Sequence, residues 1–171
     1  MKLKKYVSES VVVKSELLMP NDTNMLHNLM GGKMMYWMDI TAGIAAQRHS
    51  GVMAVTAAVD NISFNHPIEL GSVITLTAKV TRTFKSSMEV FIEVTAENIP
   101  KKTRFISNSA FFTFVAIDEN GTPVEVPEAI PETDKEHQLY RGALRRRQLR
   151  LIFAGRLKPG DANELKSIFE K

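Results

Sequence analysis

From Gly31 to Arg48 the chain runs without a proline through Met, Ala, Ile and Trp that fall on nearly every helical face. The length and the Met and Ala content favour helix over strand, and the spread of apolar positions predicts a helix buried all round. Such a helix has to be wrapped by other elements, so everything else in the chain must supply the wrapping.

Beyond Ser50-Gly51 the apolar period changes to two, which predicts strands over 53–64, 72–83, 88–98 and 104–117. Their separators are Pro67 to Gly71, Lys85-Ser86-Ser87, Pro100-Lys101-Lys102 and Asp118-Glu119-Asn120-Gly121, short enough to predict antiparallel neighbours. An earlier strand over 7–18 enters the turn formers Met19-Pro20-Asn21-Asp22-Thr23-Asn24. This order predicts an α+β fold in which an antiparallel sheet wraps one central apolar helix. One helix cannot cover both faces of a sheet. A second subunit is therefore expected to complete the core, with the C-terminal helix as the other available cover.

After Pro123, Pro127 and Pro131 the composition shifts to Arg, Leu and Gln, giving a helix over 134–153 ended near Gly155 and a short last helix starting around Asp161 to Glu164. The chain divides into a body, 1–131, and a C-terminal helical extension, 132–171. Charge divides with it. The 22 Lys/Arg and 19 Asp/Glu give a net charge of +3. Residues 132–171 hold ten Lys/Arg against six Asp/Glu, a local +4 that leaves the body near −1. A basic nucleic-acid-binding core is excluded on that distribution. The plainer reading of Arg145, Arg146, Arg147 and Arg150 is a solvated helix packing on a neighbour; the other is contact with an anionic substrate.

With no cysteine there are no disulfides, thiolate zinc sites or cysteine nucleophiles. The four histidines lack metal-ligand spacing and no glycine-rich phosphate loop occurs, so neither metal nor cofactor is expected. Ser8, Glu9 and Ser10 interrupt any signal-like run, and no stretch reaches the roughly 20 apolar residues of a membrane span. A soluble, cytoplasmic protein is expected.

Asp39 is the only acid inside the apolar helix, and an uncompensated buried carboxylate costs several kcal/mol. A structural partner or a solvated face is one explanation. Lys33 and Arg48, however, stand six and nine residues away, outside helical ion-pair spacing. Gly32, seven residues earlier, shares the face of Asp39 at roughly 10 Å along the axis. Ala42 and Gly43 would leave room beside the carboxylate. Free amides at the Gly31-Gly32 helix start suit an oxyanion, and Asp39 a general base or nucleophile. Asn28 sits where an N-cap is needed, whereas Asn24 is either a turn residue or a group that positions water or a carbonyl. Lys85-Ser86-Ser87 reads as a polar hairpin turn or a phosphate seat. Met25, Met30, Met34, Met35 and Met38 read as core or as an adaptable acyl tunnel.

Taken in order, Met19-Pro20-Asn21-Asp22-Thr23-Asn24, Gly31-Gly32, Trp37-Met38-Asp39, Val55-Thr56-Ala57-Ala58-Val59, Phe64-Asn65-His66-Pro67-Ile68 and Phe112-Thr113-Phe114-Val115-Ala116 resemble the hotdog-fold acyl-CoA thioesterases. The resemblance implies hydrolysis of acyl-CoA without a cofactor, sheets paired into homodimers, and dimers gathered as a trimer of dimers. It implies that Asp39 acts as general base or nucleophile, that Asn24 joins it from the partner subunit, and that the Gly32 amide binds the thioester oxygen. Lys85, Ser86 and Ser87, with Val55 and Thr56, are the expected coenzyme A contacts. A non-catalytic acyl-CoA sensor on the same fold is the alternative.

Overall fold

A computed structural model describes residues 3–60, 62–64 and 66–167; Asn61, within the strand expected over 53–64, and Asn65 lie outside the described residues. Helix α1 is Gly31–Ser50. The main sheet has five strands, β2 (Val12–Leu17), β3 (Met53–Val59), β4 (Val73–Thr83), β5 (Ser87–Asn98) and β6 (Thr103–Ile117). Two three-residue strands, β1 (Lys4–Tyr6) and β7 (Glu128–Ile130), pair in parallel as a separate ribbon that the period-two pattern does not reveal. Helix α2 spans Asp134–Phe153 and α3 spans Asn163–Lys166. The sheet is antiparallel with order β2-β4-β5-β6-β3, and α1 packs along one face: this is the hotdog arrangement.

The short turns after β4 and β5 do join antiparallel neighbours. The separator at Pro67 to Gly71 does not: β3 pairs with β6 at one edge, while β4 lies on the far side of β5. The connection before β4 docks on the entry to α1, where the Leu29 amide donates to the Ile68 carbonyl at 2.8 Å and the Leu70 amide to the His27 carbonyl at 3.0 Å. Those bonds occupy backbone groups that a tight hairpin would have left for the ladder.

Alternation sorts the strands into two faces. Ile74, Leu76, Ala78, Val90, Ile92, Phe112 and Phe114 point to α1 and are buried. Each such large side chain contributes about 1.5–3 kcal/mol through burial. They meet Met34, Trp37, Met38, Ala42, Ala45 and Ala46 along one stripe of α1. The opposite stripe is open, with Tyr36 and Ile44 exposed, so within one protomer the helix is not buried all round. An apolar residue reads the same whether its own chain or another covers it.

Helix α2 covers the other face. It begins on a capping box: Thr133 Oγ1 accepts from the Glu136 amide, and Glu136 Oε2 accepts from the amides of Thr133 and Glu132. Glu136 Oε1 also takes a 2.9 Å bond from Lys79 Nζ on β4. Burial alone would raise this carboxyl, but the Lys79 and amide hydrogen bonds outweigh it and pull its pKa from 4.5 down to about 2. Farther along, Arg146 and Arg150 both bond Glu89 of β5, whose side chain is fully buried, and Arg150 reaches Asp60 at 2.7 Å. Of the four arginines expected on a solvated helix, Arg146 and Arg150 are thus anchored to the chain's own sheet, while Arg145 is exposed. Arg146 and Arg150 supply the counter-charge that a fully buried carboxylate on the strand requires.

Candidate active site

Asp39 lies on the third turn of α1 and is half-buried, between the core stripe and the open one. Thr56 of β3 donates its hydroxyl to Asp39 Oδ1 at 2.6 Å, and Oδ2 takes no hydrogen bond from any described residue. The sheet brings these two together across seventeen positions because β3 runs beside the helix face that carries Asp39. The bulge between Thr56 and Ala58 shifts the alternation immediately afterwards. Thr56, expected as a coenzyme A contact, is therefore found on the carboxylate. Its neighbour Val55 is exposed on the edge strand. Strand alternation alone could not have signalled the Asp39 pairing, since it needs the position of β3 against α1.

Ala42 and Gly43 do not open a channel. Ala42 is fully buried, and a Cβ at Gly43 would stand 3.5 Å from the Phe114 ring. Their small size lets the helix approach the sheet. Met34 and Met38 are core residues as well, whereas Met25 is almost wholly exposed.

The helix start forms a second group. Met30 is the N-cap residue, with no side-chain cap, so the Gly31 and Gly32 amides have no carbonyl behind them in the helix. Asn28 is not the cap; it is too far from the first turn and instead bridges to Glu69. Asn24 Oδ1 accepts from the Leu26 and Asn28 amides at 2.9 and 3.2 Å, which fixes the loop around it. The Lys33–Asp22 ion pair, at 2.9 Å, ties that loop to the helix. Asn24, Gly31, Met34, Phe64, His66 and Ile68 line a cleft of about 440 Å³. One protomer thus carries two separate groups, Asn24 with the Gly31-Gly32 amides and Asp39 with Thr56.

Lys85 and Ser86 form the hairpin between β4 and β5, which Ser87 closes: the Phe84 amide donates to the Ser87 carbonyl at 2.8 Å. Lys85 is exposed, and its carbonyl accepts from the Val126 amide. Ser87 lines a pocket with Ala57, Arg147 and Arg156. Among the described residues no three His, Asp or Glu side chains converge as a metal site would require.

A hotdog sheet around a helix that bears a hydrogen-bonded carboxylate defines a class, and the thioesterase superfamily pattern matches residues 26–102. The chain belongs to that superfamily, among its acyl-CoA thioester hydrolases. It is 41% identical over 142 residues to the uncharacterized acyl-CoA thioester hydrolase YkhA of Bacillus subtilis, covering 83% of each chain. The mouse cytosolic acyl coenzyme A thioester hydrolase is 38% identical over 72% of this chain, which spans 33% of that longer protein. Among solved structures, a hexameric acyl-CoA thioesterase superposes with a TM-score of 0.86 at 34% identity, over 89% of this chain and 97% of that one. The Staphylococcus aureus acyl-CoA hydrolase in complex with butyryl coenzyme A and coenzyme A gives 0.82 at 34%, over 89% and 94%. That hydrolase is also known as three alanine variants, of an Asn, an Asp and a Thr successively 15 and 17 residues apart. Asn24, Asp39 and Thr56 have the same spacing.

Proposed function

We propose that this protein hydrolyses acyl-CoA to a free carboxylic acid and coenzyme A, with Asp39 as general base. The observation that carries the assignment is the Asp39 carboxylate held at one oxygen by Thr56 and open at the other. Oδ2 takes a proton from a water as its oxygen adds to the thioester carbonyl carbon. The carbonyl oxygen, now negative, is met by the Gly32 amide at the positive end of α1. Collapse breaks the C–S bond, and the proton returns to the departing sulfur, so water is consumed and no cofactor enters.

Asp39 and the Gly32 amide lie roughly 10 Å apart along α1, too far for one carbonyl group to touch both. A second copy of the chain resolves this. The outer edge of β3 has no strand beside it, and the exposed side of α1 carries Gly32, Tyr36 and Ile44. Two chains joined along β3 make one continuous sheet and set two α1 helices side by side, so that Asn24 and the Gly32 amide of one protomer face Asp39 of its partner. Dimers of this kind assemble as a trimer of dimers, a reading supported by the hexameric relative. A cytoplasmic location is supported by the mouse relative's cytosolic one. Lys85, Ser86, Ser87 and Val55 contact the coenzyme A portion.

Asp39→Asn keeps the shape and removes the base. Thiol release from acetyl- to palmitoyl-CoA should fall about 10²- to 10⁴-fold, with the assembly size unchanged on a sizing column. Near-native turnover by this variant on the best substrate refutes the role of Asp39. Tight acyl-CoA binding by the unsubstituted protein without thiol release at any chain length refutes hydrolysis and makes the protein a sensor.

A further inference from the structure

The two-fold pairing proposed above fixes where its axis crosses α1. If the Gly32 amide of one protomer faces Asp39 of its partner, and the reverse holds at the second site, the axis passes halfway between positions 32 and 39, beside Met35 and Tyr36. Met35 is half-buried, whereas Tyr36 is 57% exposed; Trp37 next to it is buried in the core. At about 100° per residue, Tyr36 stands about 40° to one side of Gly32 around the helix and Asp39 about 20° to the other, so the three share one face. The Lys33 ammonium lies 5.5 Å from the centre of the Tyr36 ring and is itself held by Asp22 at 2.9 Å, which restrains the ring on the side towards the helix start.

A thioester has two arms. Coenzyme A is large and carries charged phosphates that are costly to bury, so its arm leaves towards solvent and the acyl arm is left the space between the two helices. The two carbonyl positions lie roughly 10 Å apart along α1, each roughly 5 Å from the axis. An acyl chain directed inward therefore reaches the axis after a short run, and Tyr36 of both protomers stands there. We propose that Tyr36 determines the acyl chain length this protein accepts, the two Tyr36 rings of a dimer forming the wall between its two acyl cavities. This rests on the shared-site acyl-CoA reading above and names the substrate class of that site, short-chain acyl-CoA. The bulk of the ring, not its hydroxyl, does the excluding.

The test uses the full-length protein and follows thiol release from acetyl- to decanoyl-CoA, together with calorimetry on S-ethyl- and S-decyl-CoA, thioethers that cannot be hydrolysed. The parent should favour butyryl- over decanoyl-CoA. Tyr36→Ala should raise the decanoyl-to-butyryl ratio of kcat/KM about tenfold or more, the scale on which one or two methylenes are discriminated by a closed cavity. In that variant a long chain crosses the axis, so S-decyl-CoA should fill one site per dimer while S-ethyl-CoA fills both. Tyr36→Phe keeps the ring and should keep the parent's profile. Alanine is the best helix former, so the exposed turn survives the change; where Tyr36→Ala nonetheless loosens the dimer, Tyr36→Trp tests the wall from the other side by shifting preference further towards acetyl-CoA. A profile within twofold of the parent's in the assembled Tyr36→Ala variant overturns the wall, as does a parent that prefers decanoyl-CoA. A profile that responds to Phe64→Ala in its place also overturns it, because the acyl chain then lies in the cleft beside Gly31. Thioether binding that shifts with Tyr36 while no thioester is hydrolysed upholds the wall and overturns the proposed activity instead.

Discussion

If each active site takes Asp39 from one protomer and Asn24 from its partner, two crippled chains should repair one another. Asp39→Asn removes the base, and Asn24→Ala removes an amide next to the oxyanion-binding helix start, a loss on the order of 10²-fold for one such donor. Each variant alone is then nearly silent. In a mixed dimer one site inherits both lesions and the other inherits neither. Random pairing makes half the dimers mixed, and half of the sites in those are intact. Co-expressed in equal amounts, the two variants should therefore recover about a quarter of the native rate, as the two-fold symmetry of a paired dimer requires. The assay is thiol release by the co-expressed mixture, compared with the two variants purified separately and blended cold, which should stay silent until subunits exchange. A site built wholly within one protomer leaves every site in the mixture damaged. Activity no higher than the sum of the separate variants would thus refute the shared site, and with it the argument from the roughly 10 Å between Gly32 and Asp39.

Two further outcomes follow from single contacts. Thr56→Val keeps the shape of β3 but deletes the 2.6 Å bond to Asp39, and hydrogen bonds to charged groups contribute about 1.5–3 kcal/mol; kcat should drop about ten- to a hundredfold, and an unaltered kcat would show that Thr56 does not position the base. Glu136, with its folded pKa near 2 against 4.5 unfolded, adds stability that is fully present above pH 4.5 and is lost as pH falls towards 2. Acid melts of Glu136→Gln should be flatter than the parent across that window, and parallel curves would count against the Lys79 and amide contacts as its source.

Much of this was legible in the sequence for physical reasons. Strands β4, β5 and β6 alternate over most of their length because one face packs on α1, and α2 follows the shift to Arg, Leu and Gln after Pro131. What stayed hidden depends on contacts between distant positions. Three-residue strands such as β1 and β7 carry too few residues for a period, and their pairing joins opposite ends of the chain. The partners of Arg146 and Arg150 sit 57 to 90 residues away, so their local setting suggested a solvated face. The site was half readable. Asp39 is conspicuous as a lone acid among apolar residues, but Thr56 is an ordinary strand threonine until the fold sets it against that carboxylate.

The buried carboxylate of Glu89 has a consequence for how this chain can change over time. It is answered by two guanidiniums from α2, so the hairpin strand and the terminal helix are bound by a shared charge account rather than by shape alone. Losing the helix by truncation strands an ion in the sheet at a cost of about 3–5 kcal/mol, whereas losing one arginine leaves the other paired with it. The acid at position 89 is therefore tied to the pair of arginines at 146 and 150. A hotdog chain that dispenses with the terminal helix has first to give up the acid beneath it.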